Sequence, residues 1–161
     1  MPTSIVGVNT LVPNRLVGAA AASQSLPALA GYESVRSEIK TGPGNRLDLM
    51  LEVAERRPCY VEVKNCTLVE AGVARFPDAV TTRGRKHLEA LRALADRGNR
   101  CVMFFLIQRM DAVSFQPADH IDPEYGKALR KVVKKGVEIV ACDVSIDLEG
   151  IRLNQPIGCR L

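Results

Sequence analysis

Apolar and polar residues alternate with a period of two through three successive stretches of the first half of the chain. Val35, Ser37 and Ile39 interleave with Arg36, Glu38 and Lys40. Leu47, Leu49, Leu51 and Val53 interleave with Arg46, Asp48, Met50 and Glu52, and Val61 and Val63 with Tyr60, Glu62 and Lys64. Period two is the signature of a strand with two unlike faces. Thr41-Gly42-Pro43-Gly44-Asn45 punctuates the first pair and the stretch from Ala54 to Pro58 the second. Connections this short join antiparallel neighbours, so a three-stranded meander is predicted.

Upstream, Val6 to Leu16 reads as an irregular apolar segment containing Pro13, and the Ala-rich stretch Leu16 to Leu29 as a helix. Pro27 sits near its end or opens a second short turn. Downstream, a polar loop precedes a period of 3.6. Leu88, Leu91, Leu94 and Ala95 form an apolar stripe on a helix from Thr82 to Arg97, closed by Gly98. The continuous apolar run Cys101 to Ile107 predicts a strand covered on both faces. Asp122 as N-cap, Pro123 as first residue and Gly136 as terminator frame a second helix, Pro123 to Lys135. Val137 to Cys142 is a further buried strand, and Ile146 to Leu153 folds across Glu149-Gly150 as a terminal hairpin. Meander and crossovers together predict an α/β fold, a mixed central sheet flanked by helices, as one domain over residues 1–161.

Composition narrows the partners. The chain is 47% apolar and 25% charged, which is globular rather than disordered. A net charge of +4 and a pI near 8.9 permit nucleic acid as a partner without requiring it. With 4% aromatics and no Trp, stacking on single-stranded bases is not the expected mode. Five cysteines lack C-x-x-C spacing and sit mostly in apolar runs, so buried, reduced thiols in a cytoplasmic protein are expected. His87 and His120 have no spaced Cys partner, which argues against zinc. The N-terminus shows no signal-peptide pattern, and no apolar run is long enough to span a membrane.

The candidate chemistry lies in the meander. Glu62 and Lys64 are two apart and share a face; Asp48 and Glu38 lie opposite the aliphatics of their own strands. Pairing brings Asp48 beside Glu62, with Glu38 near Asp48. Clustered carboxylates are hard oxygen ligands for Mg2+ or Mn2+, which binds phosphate oxygens and lowers the pKa of water. A neighbouring lysine can orient that water or stabilise developing charge. Asp, spacer, Glu-x-Lys is the pattern of the PD-(D/E)XK nucleases, and Asp48 … Glu62-Val63-Lys64 matches it. On spacing alone, cross-strand ion pairs on a solvated face explain the same residues, each worth roughly 0.2–1 kcal/mol. The literal Pro77-Asp78 has no Glu-x-Lys at strand spacing after it and reads as a helix-entry turn.

Arg46-Leu47-Asp48-Leu49-Met50-Leu51, the run Cys59 to Leu68 and above all Phe76-Pro77-Asp78-Ala79-Val80-Thr81-Thr82-Arg83-Gly84-Arg85-Lys86-His87-Leu88 resemble the sugar fermentation stimulation protein A (SfsA) family. Val8 to Leu11, Asn14-Arg15-Leu16, Ser37 to Lys40 and Pro117 to Asp122 extend the resemblance over almost the whole chain. The resemblance implies an N-terminal OB-like domain joined to a C-terminal PD-(D/E)XK nuclease-like domain. This chain corresponds to the second, entered near Val8, with the OB-like part absent. It also implies DNA binding and a link to sugar metabolism genes such as those for maltose. Leu47 stands where a Pro often precedes the Asp; that Pro does no chemistry.

The expected site is therefore Asp48, Glu62 and Lys64 as catalytic residues, with Asp48, Glu62 and Glu38 on a Mg2+ or Mn2+ ion. Arg83, Lys86, Lys40 and Arg46 are expected on DNA. Arg85 and Arg92 share the first long helix, and His87 is either a proton shuttle or, by the plainer reading, a structural histidine. Lys127, Arg130, Lys131, Lys134 and Lys135 make the second helix basic, for solubility or for phosphate steering. Asp119, His120 and Asp122 mimic a metal cluster, but Asp122 is better explained as a cap. Three functions stay open: a DNA-binding phosphodiesterase, a silent DNA-binding regulator, and a protein-interaction domain.

Overall fold

The computed structural model describes residues 12–161. The expected irregular segment from Val6 and the Val8 to Leu11 block lie outside the described residues as far as residue 11. Helix α1 (Val12–Ala22) carries Pro13 in its first turn, where the missing N–H breaks no helical hydrogen bond. It therefore begins within the stretch read as irregular. It stops short of Leu29 because Ser23, Gln24 and Ser25 turn the chain, Gln24 at φ 60°; its amide nitrogen reaches the carbonyls of Ala21 and Tyr32. Pro27–Leu29 then forms a separate 3-10 turn.

Strands β1 (Ser34–Gly42), β2 (Asn45–Glu52) and β3 (Cys59–Cys66) form the expected antiparallel meander, with Val35 opposite Leu51 and Leu49 opposite Val61. Two short strands follow, β4 (Leu68–Glu70) and β5 (Val73–Phe76), where a polar loop was expected. Helix α2 (Thr82–Ala95) leads to β6 (Arg100–Ile107), which lies parallel to β3. Next come β7 (Ser114–Pro117), α3 (Pro123–Val133), β8 (Glu138–Asp147), β9 (Gly150–Pro156) and β10 (Gly158–Cys159). The main sheet runs β1-β2-β3-β6-β8-β9, mixed in direction and flanked by helices. A second sheet, β10-β7-β5-β4, collects the strands missing from the sequence reading. They run two to four residues each, too short to show a period, and β7 pairs only with chain far away in sequence, through parallel contacts to β5 and β10.

Every residue of β6 after Arg100 is buried. Val102, Phe104 and Leu106 pack into a core with Val61, Val63 and α1. Met103 and Phe105 pack into another with α2 and α3 through Leu88, Leu91, Tyr125 and Leu129. The continuous apolar run is thus a strand with a core on each face. Of the five free cysteines four are buried; Cys159, on the short β10, is exposed and departs from the expectation.

One carboxylate ties the two long helices together. Asp122 Oδ1 accepts the Tyr125 N–H at 2.9 Å and caps α3, as its place before Pro123 predicts. Its Oδ2 accepts the Thr81 N–H at 2.9 Å, at the N-cap of α2. Thr81, not Asp78, holds that cap: its hydroxyl accepts from the Gly84 N–H. Asp122 is 1% exposed, so Asp122→Ala strands two backbone donors in a dry place. Urea titration is expected to show a loss of about 2–4 kcal/mol, against less than about 0.5 kcal/mol for Glu124→Ala on the exposed face.

Candidate active site

The β2–β3 ladder runs from Leu51/Cys59 to Leu49/Val61 and stops. Beyond it the Val63 N–H donates to Asp48 Oδ2 at 2.8 Å. A side-chain carboxylate has replaced the next rung, which sets Asp48 against the backbone between Glu62 and Lys64. The other oxygen, Asp48 Oδ1, accepts from Asn14 Nδ2 of α1 at 2.7 Å.

Glu62 points from β3 toward α2 and is 2% exposed. Its Oε1 accepts from Lys64 Nζ at 2.6 Å and lies against Nδ1 of the buried His87 from α2. Lys64 Nζ and His87 Nδ1 are themselves 2.9 Å apart. Glu62 Oε2 is buried with no hydrogen-bond partner.

The two carboxylates are of opposite character. Burial pushes Asp48 up to about 6, reinforced by the charge of Glu62 and only partly countered by the Val63 N–H, Lys64 and Asn14. Burial also raises Glu62, but the bond from His87 and the charge of Lys64 outweigh it, and Glu62 is held below its ordinary value. Glu62 is therefore an anion, while Asp48 takes up a proton readily unless a cation offsets its charge.

The pair lies at the base of a cleft of about 1070 Å³. One rim is the β1–β2 hairpin, with Lys40, Glu38 and Arg46; the other is the start of α2, with Thr82, Arg83 and Lys86. All eight residues expected at the site line this one cleft. Glu38 differs in its company. Its exposed carboxylate pairs with Arg46 Nη1 at 2.6 Å, and no group of three or more His, Cys, Asp or Glu side chains able to hold a metal ion occurs among the described residues. Glu38 thus lines the cleft with its charge already shared with a guanidinium. The donor set left is the two carboxylates of Asp48 and Glu62, hard oxygen ligands with one buried oxygen free. That set suits a small divalent ion that keeps most of its waters.

Arg85 turns from the cleft to Asp122, at 3.4 Å, and Arg92 lies in the last turn of α2, outside it. Asp119 is held by Arg130 at 2.9 Å and His120 faces Glu70 at 3.4 Å, so with the capping Asp122 they form no metal cluster. Asn14 and the contact of His87 with both Glu62 and Lys64 were not read from the sequence. His87 carried one usable signal: it follows Gly84 by three positions, on the buried face of α2.

The sugar fermentation stimulation protein RE domain matches residues 11–150. A sugar fermentation stimulation protein homolog of Geotalea uraniireducens is 46% identical over 156 residues, covering 97% of this chain and 67% of that protein. One from Pelobacter propionicus is 50% identical over 149 residues, covering 92% and 64%. The chain thus spans about two thirds of the length of these curated relatives. A solved structure of Pyrococcus furiosus SfsA in complex with Ca2+ superposes with a TM-score of 0.90 at 27% identity, covering 98% of this chain and 68% of that one. With the central mixed sheet and its flanking helices shared at that level, and the match running through both the meander and α2, the chain belongs to the sugar fermentation stimulation protein family.

Proposed function

We propose that this domain is a divalent-cation-dependent phosphodiesterase acting on DNA, built on a PD-(D/E)XK, restriction-endonuclease-like core. The observation that carries the reading is the meeting of Asp48, Glu62 and Lys64 at the base of a cleft with basic residues on both rims. A carboxylate pair buried at the foot of a basic cleft suits a bound cation and a phosphate better than it suits a solvated strand face. The Ca2+ complex of the Pyrococcus relative supports a hard divalent ion in this family.

Asp48 and Glu62 would hold Mg2+ or Mn2+. The bound ion would supply Lewis acidity toward a phosphate oxygen and make water a better nucleophile. Lys64 Nζ, which donates to Glu62 Oε1 and stands 2.9 Å from His87 Nδ1, presents donors beside the attack position and stabilises charge developing on the phosphate. Asn14 and the Val63 N–H keep the Asp48 carboxylate turned toward Glu62. Lys40 and Arg46 on the hairpin and Arg83 and Lys86 on α2 bind the flanking phosphates. Such contacts give affinity that falls with salt, independent of sequence.

Three outcomes are expected. Supercoiled plasmid is nicked with Mg2+ or Mn2+ and not with EDTA, and Asp48→Ala or Lys64→Ala slows nicking by at least about 100-fold. Wild type inert with every metal and substrate tried, or Asp48→Ala as active as wild type, would overturn the reading. Salt-sensitive DNA retention without nicking, surviving Glu62→Ala, would leave a silent DNA-binding regulator.

Arg83→Ala combined with Lys86→Ala weakens DNA retention on duplexes of unrelated sequence alike and lowers the slope of log K against log salt by about 2. An unchanged slope would remove α2 from the interface.

The third outcome concerns pH. The folded-state value of Asp48 is raised from 3.8 to about 6, so its stabilising contribution is complete below about pH 4 and is lost as the pH rises through 6. In EDTA, Asp48→Asn should therefore gain stability over wild type by roughly 2 kcal/mol between pH 4.5 and 7.5. Mn2+ should stabilise wild type at pH 7.5 and leave Asp48→Asn unmoved. Thermal melts across that range measure both.

A further inference from the structure

Two buried polar atoms, Glu62 Oε2 at the cleft and the Tyr125 hydroxyl in the core beneath α2 and α3, have no hydrogen-bond partner. A lone buried polar atom is costly, and one acceptor and one donor stranded in the same region are complementary. Tyr125 is 0% exposed and sits in the first turn of α3. Its ring lies edge-on to Phe76, with centroids 5.2 Å apart. It also packs on Gly84 of α2: a Cβ built there would stand 3.1 Å from Tyr125 Cε2, the ring carbon adjoining the one that carries the hydroxyl. Gly84 and His87 are one turn apart on the buried face of α2, and His87 touches Glu62. Tyr125 thus stands against the stretch of helix that borders the Glu62 carboxylate.

We infer that Tyr125 is a positioning residue for Glu62: the two unpaired atoms do not bond each other directly, and the hydroxyl donates to one buried water that in turn donates to Oε2. Other acceptors nearby are already engaged. Asp122 Oδ1 and Oδ2 accept the N–H groups of Tyr125 and Thr81 and face Arg85, and the Cys66 thiol donates to the Arg75 carbonyl at 3.1 Å. Burial raises the Tyr125 hydroxyl above its ordinary value, and the charge of Glu62 raises it further, which places the two groups within electrostatic reach. Glu62 is then gripped from two helices, by His87 of α2 at Oε1 and, through that water, by Tyr125 of α3 at Oε2. The Asp122 clamp between those helices sets the spacing of both grips. The significance for turnover rests on the phosphodiesterase reading; the bond itself does not.

The experiment is a double-mutant cycle of Tyr125→Phe and Glu62→Met on the metal-free full chain, read by urea unfolding and by the Raman tyrosine doublet of wild type minus Tyr125→Phe. Tyr125→Phe removes only the hydroxyl, and Glu62→Met removes both oxygens at similar length. The expected result is a rise of about tenfold in the unfolding constant for Tyr125→Phe, falling to less than about twofold in the Glu62→Met background. The doublet of wild type should be that of a hydroxyl that donates a hydrogen bond. Glu62→Met leaves Lys64 and His87 without their acceptor; if it does not fold, the doublet, which needs only wild type and Tyr125→Phe, decides. A doublet of a hydroxyl that donates to nothing, or an equal effect of Tyr125→Phe in both backgrounds, overturns the assignment. Failure of all metals to support plasmid nicking would sink the phosphodiesterase reading and leave this cycle untouched, so the two failures are separable.

Discussion

The site depends on keeping one carboxylate charged in a dry place. Glu62 is buried between the main sheet and α2, where an unpaired anion would cost several kcal/mol. Lys64 and His87 converge on one of its oxygens and hold it ionised. His87 could not do so without the parallel pairing of β3 with β6, which carries α2 across the sheet and brings His87 over β3. Lys64 reaches Glu62 from two residues along the same strand face, and its amine stands against both Glu62 and His87 rather than free in solvent.

Asp48 shows the complementary condition. The meander lets its carboxylate take the place of a ladder bond at Val63, so its position is as well defined as the backbone. Its charge is opposed by burial and by Glu62. One member of the pair is therefore a stable anion and the other an anion only when something positive stands nearby. The asymmetry leaves one fixed anion beside a carboxylate whose charge a neighbouring cation would stabilise. The basic residues on the two rims belong to separate elements, a hairpin and a helix start, and a phosphate chain lying in the cleft would meet both.

Below the site the fold is a wall. β6 is apolar on both faces and separates the core under α1 from the core under α2 and α3. Asp122 joins the starts of α2 and α3 through backbone donors, so the two helices bordering Glu62 keep their spacing through one buried carboxylate. The second sheet, β10-β7-β5-β4, follows the turn from β3 toward α2 and supports the segment that delivers Arg83 and Lys86.

Much of this is written in local pattern. The alternation around Asp48 and Glu62, the stripe of Leu88 and Leu91, the apolar run of β6 and the Asp122-Pro123 start are each settled by neighbours a few residues away, and those elements are where the pattern places them. Alternation also sets Glu62 and Lys64 on one face, because side chains in a strand can point only two ways. What the chain could not state locally are relations between distant segments. The strands of the second sheet are too short to carry a period, and β5, β7 and β10 are joined by parallel pairing between segments distant in sequence, with β4 added antiparallel to β5. Glu38 has the same alternation as Asp48, yet it belongs to Arg46, because an exposed acid takes the nearest guanidinium. Asn14 and His87 come from two different helices, and no spacing links them to Asp48 and Glu62. Their convergence was decided by packing alone, since only the folded sheet brings α1 and α2 onto strands β2 and β3 and makes an unpaired charge there too costly to leave unanswered.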